Sequence, residues 1–396
     1  MQLCIRYVLI IFAIFFIGCD LMALEDTKLQ KISIIKTNNF LDVLTIPDWV
    51  YQPLEASELK KLKLYVEEKG FRPSSGTEED FVLSALSWVS SQWMHDGMNE
   101  PPKFFHALDI LKKVHDEKVR YRCVEYGLVL SEVLQSYGFV TRTLALRSND
   151  VAYGGFGQGH VAMEVWLNDI GKWIFLDPQF GVYLTSTNSK IPLNYYEIYK
   201  EKKAGRFNNL TVNAGSSSKY LIMKSADKLS YKGFLKNYFG HIAISDKAKN
   251  EVASLLLEAK TIPLTFQANS LNNALFTSRS ELFYPEMNRV ALFLSYKDEN
   301  ANFMELMKKL KIESNADYIK NMASFAVKPE FNISIKSKSK IKETYQYREG
   351  DSGSWKDISG NSFEWSAINK INRIEVRAVN EFGRAGPLTF LEIKYQ

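Results

Sequence analysis

Cys123, His160 and Asp177 follow one another along this chain and could together perform acyl chemistry. The chain has three cysteines, and the other two, Cys4 and Cys19, lie in an apolar leader, so Cys123 is the single thiol expected in the folded body. A lone thiol with a histidine and an acid further along is the outline of a nucleophile, its general base and an orienting carboxylate. Cys123 sits in Arg-Tyr-Arg-Cys-Val-Glu-Tyr-Gly, where a helix is expected to start. A helix start favours the thiolate through the dipole and the unsatisfied backbone donors, and the Cys123 N–H can serve as one oxyanion donor. Taken singly, the three residues have ordinary readings. Free cysteines are commonly small buried apolar residues. His160 could be a strand-end core histidine, and Asp177 could cap the turn before Pro178.

Two strands must bring His160 to Asp177. Val161, Met163, Val165 and Leu167 alternate with Ala162, Glu164 and Trp166, which predicts a half-buried strand opened by His160. Asn168 to Gly171 turns the chain, and Trp173 to Asp177 returns. With a two-residue turn at Asn168-Asp169, Leu167 pairs with Ile170 and residue 160 lies directly opposite 177. A turn longer by two residues keeps both side chains on one face but makes the pair diagonal. A slip of one residue would separate them onto opposite faces. In this arrangement Cys123 attacks an amide or ester carbonyl, His160 carries the proton, and Asp177 orients the imidazole. The four glycines of the 149–159 loop would let backbone approach a substrate or let the loop move.

Helices precede this hairpin. Leu59, Leu62 and Val66 recur at helical spacing up to Gly70; Thr77-Glu-Glu-Asp reads as a capped start for Phe81 to Trp93; a short helix follows over Ala107 to His115. Tyr126, Leu130, Val133, Leu134 and Tyr137 form the apolar stripe of the helix led by Cys123, which Gly138 stops. Val140 to Arg147 reads as a strand. A helix followed by an antiparallel hairpin gives an α+β class. From 201 to 325 the signals are mixed: strands at Tyr220–Met223, Ile262–Phe266 and Val290–Tyr296, and helices at Ala248–Ala259 and Phe303–Lys311. From Lys328 on, Phe331–Ile335, Thr344–Arg348, Ser362–Trp365, Arg373–Val379 and Leu388–Lys394 are short alternating runs separated by turn residues, which predicts a small β-sandwich.

Three blocks resemble a known superfamily. Cys-Val-Glu-Tyr-Gly-Leu-Val-Leu with Tyr-Gly-Phe-Val-Thr-Arg, then Gly-His-Val-Ala-Met-Glu-Val-Trp, then Lys-Trp-Ile-Phe-Leu-Asp-Pro are similar to the core blocks of transglutaminase-like proteins. The resemblance covers roughly residues 78–182. It implies a papain-like core with Cys123, His160 and Asp177 as its triad, and no cofactor. It also implies an upstream side chain near the oxyanion, for which Gln92 and Trp93 are candidates by position; helix packing is the ordinary role for Trp93. The tract Arg373-Ile-Glu-Val-Arg-Ala-Val-Asn-Glu-Phe-Gly resembles late strands of fibronectin type III or immunoglobulin-like modules. The expected layout is a signal peptide over 1–18, a linker over 19–50, the core over 51–200, a mixed α/β segment over 201–325 and the sandwich over 328–396.

Composition narrows the partners. A net charge of +5 over 396 residues offers no concentrated basic patch, which argues against nucleic acid. Tyr7 to Ile17 is an apolar run too short to span a membrane comfortably and fits a signal peptide. Phe16-Ile17-Gly18-Cys19 resembles a bacterial lipoprotein signal, with Phe16 where that pattern usually has Leu, so Cys19 is the expected lipid anchor of an exported envelope protein. His95, His106 and His115 match no common zinc spacing, and no metal site is expected. Glu125 and Glu164 lie near the expected site and could contact substrate, with a solvated charge as the default reading. Water and peptides abound outside the cell, so the expected activity is hydrolysis of peptides, proteins or amide-containing glycoconjugates. The alternatives are glutamine-directed protein cross-linking and a non-catalytic surface-binding lipoprotein.

Overall fold

The computed structural model describes residues 32–149, 159–214, 231–246, 251–258, 274–297, 302–325, 328–368 and 370–395. The leader with Cys4 and Cys19, most of the glycine-rich loop, and the expected strands at Tyr220–Met223 and Ile262–Phe266 lie outside them. Strand β1 (Ile32–Thr37) is followed by four helices: α1 (Ala56–Glu68), α2 (Glu78–Ser90), α3 (Ala107–Glu117) and α4 (Cys123–Gln135). Next come β2 (Val140–Arg147), β3 (Gly159–Leu167), β4 (Lys172–Leu176), β5 (Val182–Thr185), α5 (Tyr195–Lys203), β6 (Thr211–Ala214), β7 (His241–Asp246), β8 (Glu251–Leu256) and β9 (Ala274–Thr277). The chain continues with β10 (Ala291–Tyr296), β11 (Glu330–Lys336), β12 (Glu343–Glu349), β13 (Lys356–Ile358), β14 (Ser362–Ser366), β15 (Ile371–Asn380) and β16 (Thr389–Tyr395).

The class is α+β. Six strands form one sheet in the order β4-β3-β2-β7-β8-β9, antiparallel except between β8 and β9. Helices α1 to α4 cover one face, where Leu62, Val66, Leu86, Leu111, Leu130 and Leu134 share a core with Met163, Val165 and Leu176 of the sheet. Burying each such side chain contributes about 1.5–3 kcal/mol. The other face carries Leu144, Leu146, Ala162, Trp166 and Phe175, packed against Val182, Tyr195, Tyr231 and Phe239. Helix α4 lies directly on β3. A Cβ at Gly127 would sit 3.0 Å from Val161 Cγ1 and 3.2 Å from the Ala162 carbonyl oxygen, so this close approach depends on glycine.

The segment from 201 to 325 completes the core: β7, β8 and β9 extend the core sheet. The helix expected over Ala248–Ala259 is a strand in its described part, β8. Its Ala, Leu and Glu residues favour helix locally, but Ala253 and Leu255 alternate into the core between two hydrogen-bonded neighbours, and that pairing overrides propensity.

The C-terminal strands form two sheets, β1-β16-β15-β12-β13 and β10-β11-β14, around one apolar cluster that includes Leu292, Ile333, Ile335, Trp365, Ile374, Val376, Leu391 and Ile393. Two of these strands come from outside 328–396: β1, placed by sequence in a linker, pairs with β16, and β10 pairs with β11. Their pairing is long-range and leaves no local signal. This unit docks on the helices through Asn380 Nδ2, which donates to the Gly138 carbonyl at 2.9 Å, and through Arg384, which pairs with Glu78 at 2.9 Å. Among the described residues no helix is long and apolar enough to cross a membrane.

Candidate active site

Cys123 is the first residue of α4, as expected. The helix start is fixed from one side: the Glu125 carboxylate accepts the Arg122 N–H at 3.0 Å and pairs with the Arg122 guanidinium at 3.1 Å. Glu125 is therefore buried and structural, not a solvated charge. Trp93 stacks on Tyr126 at 4.1 Å between ring centroids, and the Tyr126 hydroxyl donates to the Trp93 carbonyl at 2.6 Å. These contacts hold the first turn of α4 in place.

The hairpin selects the longer of the two expected turns. Leu167 pairs with Lys172 and Met163 with Leu176, so residues 168–171 form the turn and Asp177 stands opposite Ala162, diagonal to His160. Gly171, at φ +59°, supplies the left-handed position that this turn needs. Both side chains stay on one face, and His160 Nε2 donates to Asp177 Oδ2 at 2.8 Å. The pair is buried, with Asp177 fully inaccessible. Asp177 Oδ2 also accepts from the Tyr231 hydroxyl at 3.0 Å, and Oδ1 accepts the Phe180 N–H at 3.4 Å. Phe234 meets the His160 ring edge-on at 5.0 Å, with Phe180 and Tyr238 each at 6.0 Å.

The half-buried thiol of Cys123 lies within electrostatic reach of His160 and of the Val161 backbone. Burial pushes the thiol up, but His160 and the Val161 backbone beside it outweigh that push, and the thiol titrates below its ordinary value. Burial pushes the imidazole down, yet Asp177, helped by Cys123, raises His160 to about 10. Both shifts move the proton from sulfur to imidazole, giving a thiolate–imidazolium pair oriented by a buried carboxylate.

Neither upstream candidate faces the thiol as an oxyanion donor. Gln92 Nε2 donates to the Trp88 carbonyl at 2.6 Å and to Ser91 Oγ at 3.1 Å, while its oxygen meets His115 Nε2 at 3.0 Å. Trp93 Nε1 donates to the Tyr121 carbonyl at 3.3 Å. Both residues lie just past the end of α2: Gln92 bonds back to the last turn of that helix, and Trp93 reaches across to the segment that leads into α4. Glu164 also departs from the solvated reading: it is fully buried against Arg142 at 2.7 Å. The histidines at 95, 106 and 115 have separate surroundings. His106 pairs with Glu132 at 3.0 Å, His115 bridges Tyr65 and Gln92 at 3.0 Å each, and His95 is within electrostatic reach of His160. Sequence reading missed Tyr231, Phe234 and Tyr238. They come from a segment without a motif, and only the folded sheet brings them to His160.

No protein-family model matches this chain, and no curated protein matches it. Among solved structures, one neighbour is a protein of Cytophaga hutchinsonii provisionally assigned as a cysteine protease: 12% identity, TM-score 0.25, covering 47% of this chain and 58% of that one. Another is red sea bream transglutaminase, with 11% identity and a TM-score of 0.22, covering 92% of this chain and 62% of that one. The chain thus spans less than two thirds of each neighbour's length. At these scores the likenesses carry no weight for the chemistry, which rests on the site's own geometry.

Proposed function

We propose that this chain is a thiol-dependent hydrolase of amide bonds, of the transglutaminase-like type, working through Cys123, His160 and Asp177. The observation that carries this reading is the buried 2.8 Å His160–Asp177 pair, with the half-buried thiol at the start of α4 within electrostatic reach of the imidazole. The Cys123 thiolate adds to the amide carbonyl carbon. The C–N bond then breaks as His160 delivers its proton to the departing amine, leaving a thioester. Water, giving one proton to His160, attacks the thioester; the acid leaves, and the thiolate–imidazolium pair is restored. Asp177 keeps Nε2 occupied so that the other ring nitrogen faces sulfur. The substrates are peptides, proteins or amide-containing glycoconjugates. Further parts of the proposal are export under the leader, a lipid anchor at Cys19, and a fibronectin III/immunoglobulin-like sandwich that positions substrate.

The test is a peptide and glycopeptide hydrolysis screen comparing wild type with Cys123→Ala, with mass spectrometry for an acyl adduct on Cys123. Products made by wild type alone, with an adduct at Cys123, support hydrolysis. Equal turnover by the variant overturns it. Net incorporation of an added primary amine in preference to water would shift the reading to acyl transfer. Loss of detergent-phase partitioning in Cys19→Ser checks the anchor.

A further inference from the structure

Arg147 is the last residue of β2, and its neighbours across the sheet are unusual for a cation. On β3 it pairs with Gly159, the residue before His160. On the other side β2 pairs with β7 up to Leu146 with Ile242; the Arg147 carbonyl then accepts the Gly240 N–H at 2.8 Å, and His241, the first residue of β7, lies within electrostatic reach of the guanidinium. The three residues lie on the same sheet face as Val161, the face on which α4 rests at Gly127. Arg147 therefore occupies the end of the sheet beneath the start of α4, within electrostatic reach of Cys123. A Cβ at Gly159 would collide with the Arg147 guanidinium, so the glycine leaves room for it to lie across the strand.

Among the described residues the Arg147 guanidinium has no ion pair. The other arginine on its strand, Arg142, is fully committed to Glu164. Arg147 is half-buried, so its uncommitted fork beside a nucleophile is both partly desolvated and reachable by a partner that arrives with the substrate. His241 reinforces this. It is 6% exposed, and its Nδ1 is buried with no hydrogen-bond partner among the described residues. Burial and the Arg147 charge push its imidazole down to about 4, so it stays neutral and adds no competing charge.

We propose that Arg147 and His241 form an anion subsite beside Cys123 that receives a free carboxylate close to the amide bond being cut. The proposal rests on the reading of Cys123 as the nucleophile. A planar guanidinium fork matches a carboxylate, and an amide substrate can supply one from the α-carboxylate of a terminal residue or from an acidic side chain. The site then prefers acidic or chain-terminal peptides over neutral internal ones.

The experiment uses two small electrophiles on the full chain. Iodoacetate carries the carboxylate; iodoacetamide is its neutral counterpart. The ratio of their rates at Cys123 is compared between wild type and Arg147→Gln, with Arg147→Met as a second removal of the charge. Thiolate content cancels in this ratio, so a guanidinium that only stabilises sulfur would leave it unchanged. The expected result is a ratio about tenfold lower in either folded variant, the scale of one hydrogen-bonded charge pair. An unchanged ratio overturns the subsite. Failure of the nucleophile reading looks different: both reagents would be slow in wild type and indifferent to His160→Ala. Protection against iodoacetamide by N-acetyl-alanyl-alanine or by N-acetyl-glutamate α-amide then identifies which carboxylate is received. Protection by neither above the fully amidated control overturns substrate recognition.

Discussion

Strand β3 carries two buried charged partnerships on one face, four residues apart, and their surroundings differ. At one end His160 meets Asp177; at the other Glu164 meets Arg142. Glu164 is saturated: one oxygen takes two N–H groups of Arg142, at 3.1 and 2.7 Å, and the other takes the Tyr195 N–H at 2.8 Å and the Tyr284 hydroxyl at 3.1 Å. Arg142 is sealed over Trp173 at 4.1 Å and donates its remaining arm to the Phe283 carbonyl. At the His160 end Asp177 is equally well held, but the imidazole has a second ring nitrogen, and the half-buried Cys123 thiol lies within electrostatic reach of the ring. A buried pair with every valence filled pins β2 and β3 to the 280s segment. A buried pair with one valence open to a nucleophile can move a proton. Burial and charge are shared by both ends, so the free valence is what separates chemistry from structure.

The two ends of β3 should respond differently to substitution. His160→Ala should show the largest effect, a loss on the order of 10⁶-fold in kcat against the amide substrate. In the alkylation profile, wild type should show its thiolate inflection below 9.0, because His160 outweighs burial. The sign reverses in His160→Ala: burial remains and its counterweight is gone, so the inflection should rise above 9.0. An inflection that does not move would remove the imidazole from the account. Next is Asp177→Asn, expected to lower kcat about 10⁴-fold through the wrong imidazole tautomer. At the other end Glu164→Ala should leave folded protein with a normally reactive Cys123, yet cost about 3–5 kcal/mol of unfolding free energy by stranding Arg142. Denaturant melts read beside alkylation rates separate the outcomes.

The sequence exposed one end of β3 better than the other. Cys123 could be placed because capping chemistry is local: Arg122 to Glu125 lie within one turn. His160 and Asp177 could be placed on one face because strand alternation survives either turn length, though the turn itself could not be chosen from Asn168-Asp169 alone. Glu164 looked like a solvated charge because its partners, Arg142, Tyr195 and Tyr284, are 22, 31 and 120 residues away. The same distance problem hid Tyr231 and Arg147. It also concealed the recruitment of β1 and β10 into the C-terminal sheets: β1 pairs with a strand at the far end of the chain, and β10 reaches β11 across a long connection. Local rules recover helix starts and strand faces; they do not reveal which charges the fold will bring together.

The smallest expected effect comes from one substitution that both ends of β3 allow. Tyr231 donates to Asp177 Oδ2 and Tyr284 donates to Glu164 Oε1, at 3.0 and 3.1 Å. Both are replaceable by Phe with the ring kept, so the packing of Tyr231 on Phe180 at 5.2 Å survives. Each deletion removes one hydrogen bond to a buried carboxylate, roughly 0.5–1.5 kcal/mol. Tyr231→Phe should lower kcat between about twofold and tenfold, because Asp177 loses a restraint on the oxygen that orients His160. The alkaline limb of its alkylation profile, where the imidazolium near pH 10 gives up its proton, should move with it. Tyr284→Phe should spend the same free energy on stability alone, lowering the melting midpoint while kcat and both limbs of the profile stay in place. If Tyr284→Phe changes the profile as much as Tyr231→Phe does, the two ends of β3 are one coupled network, and the open valence at His160 does not by itself define the site.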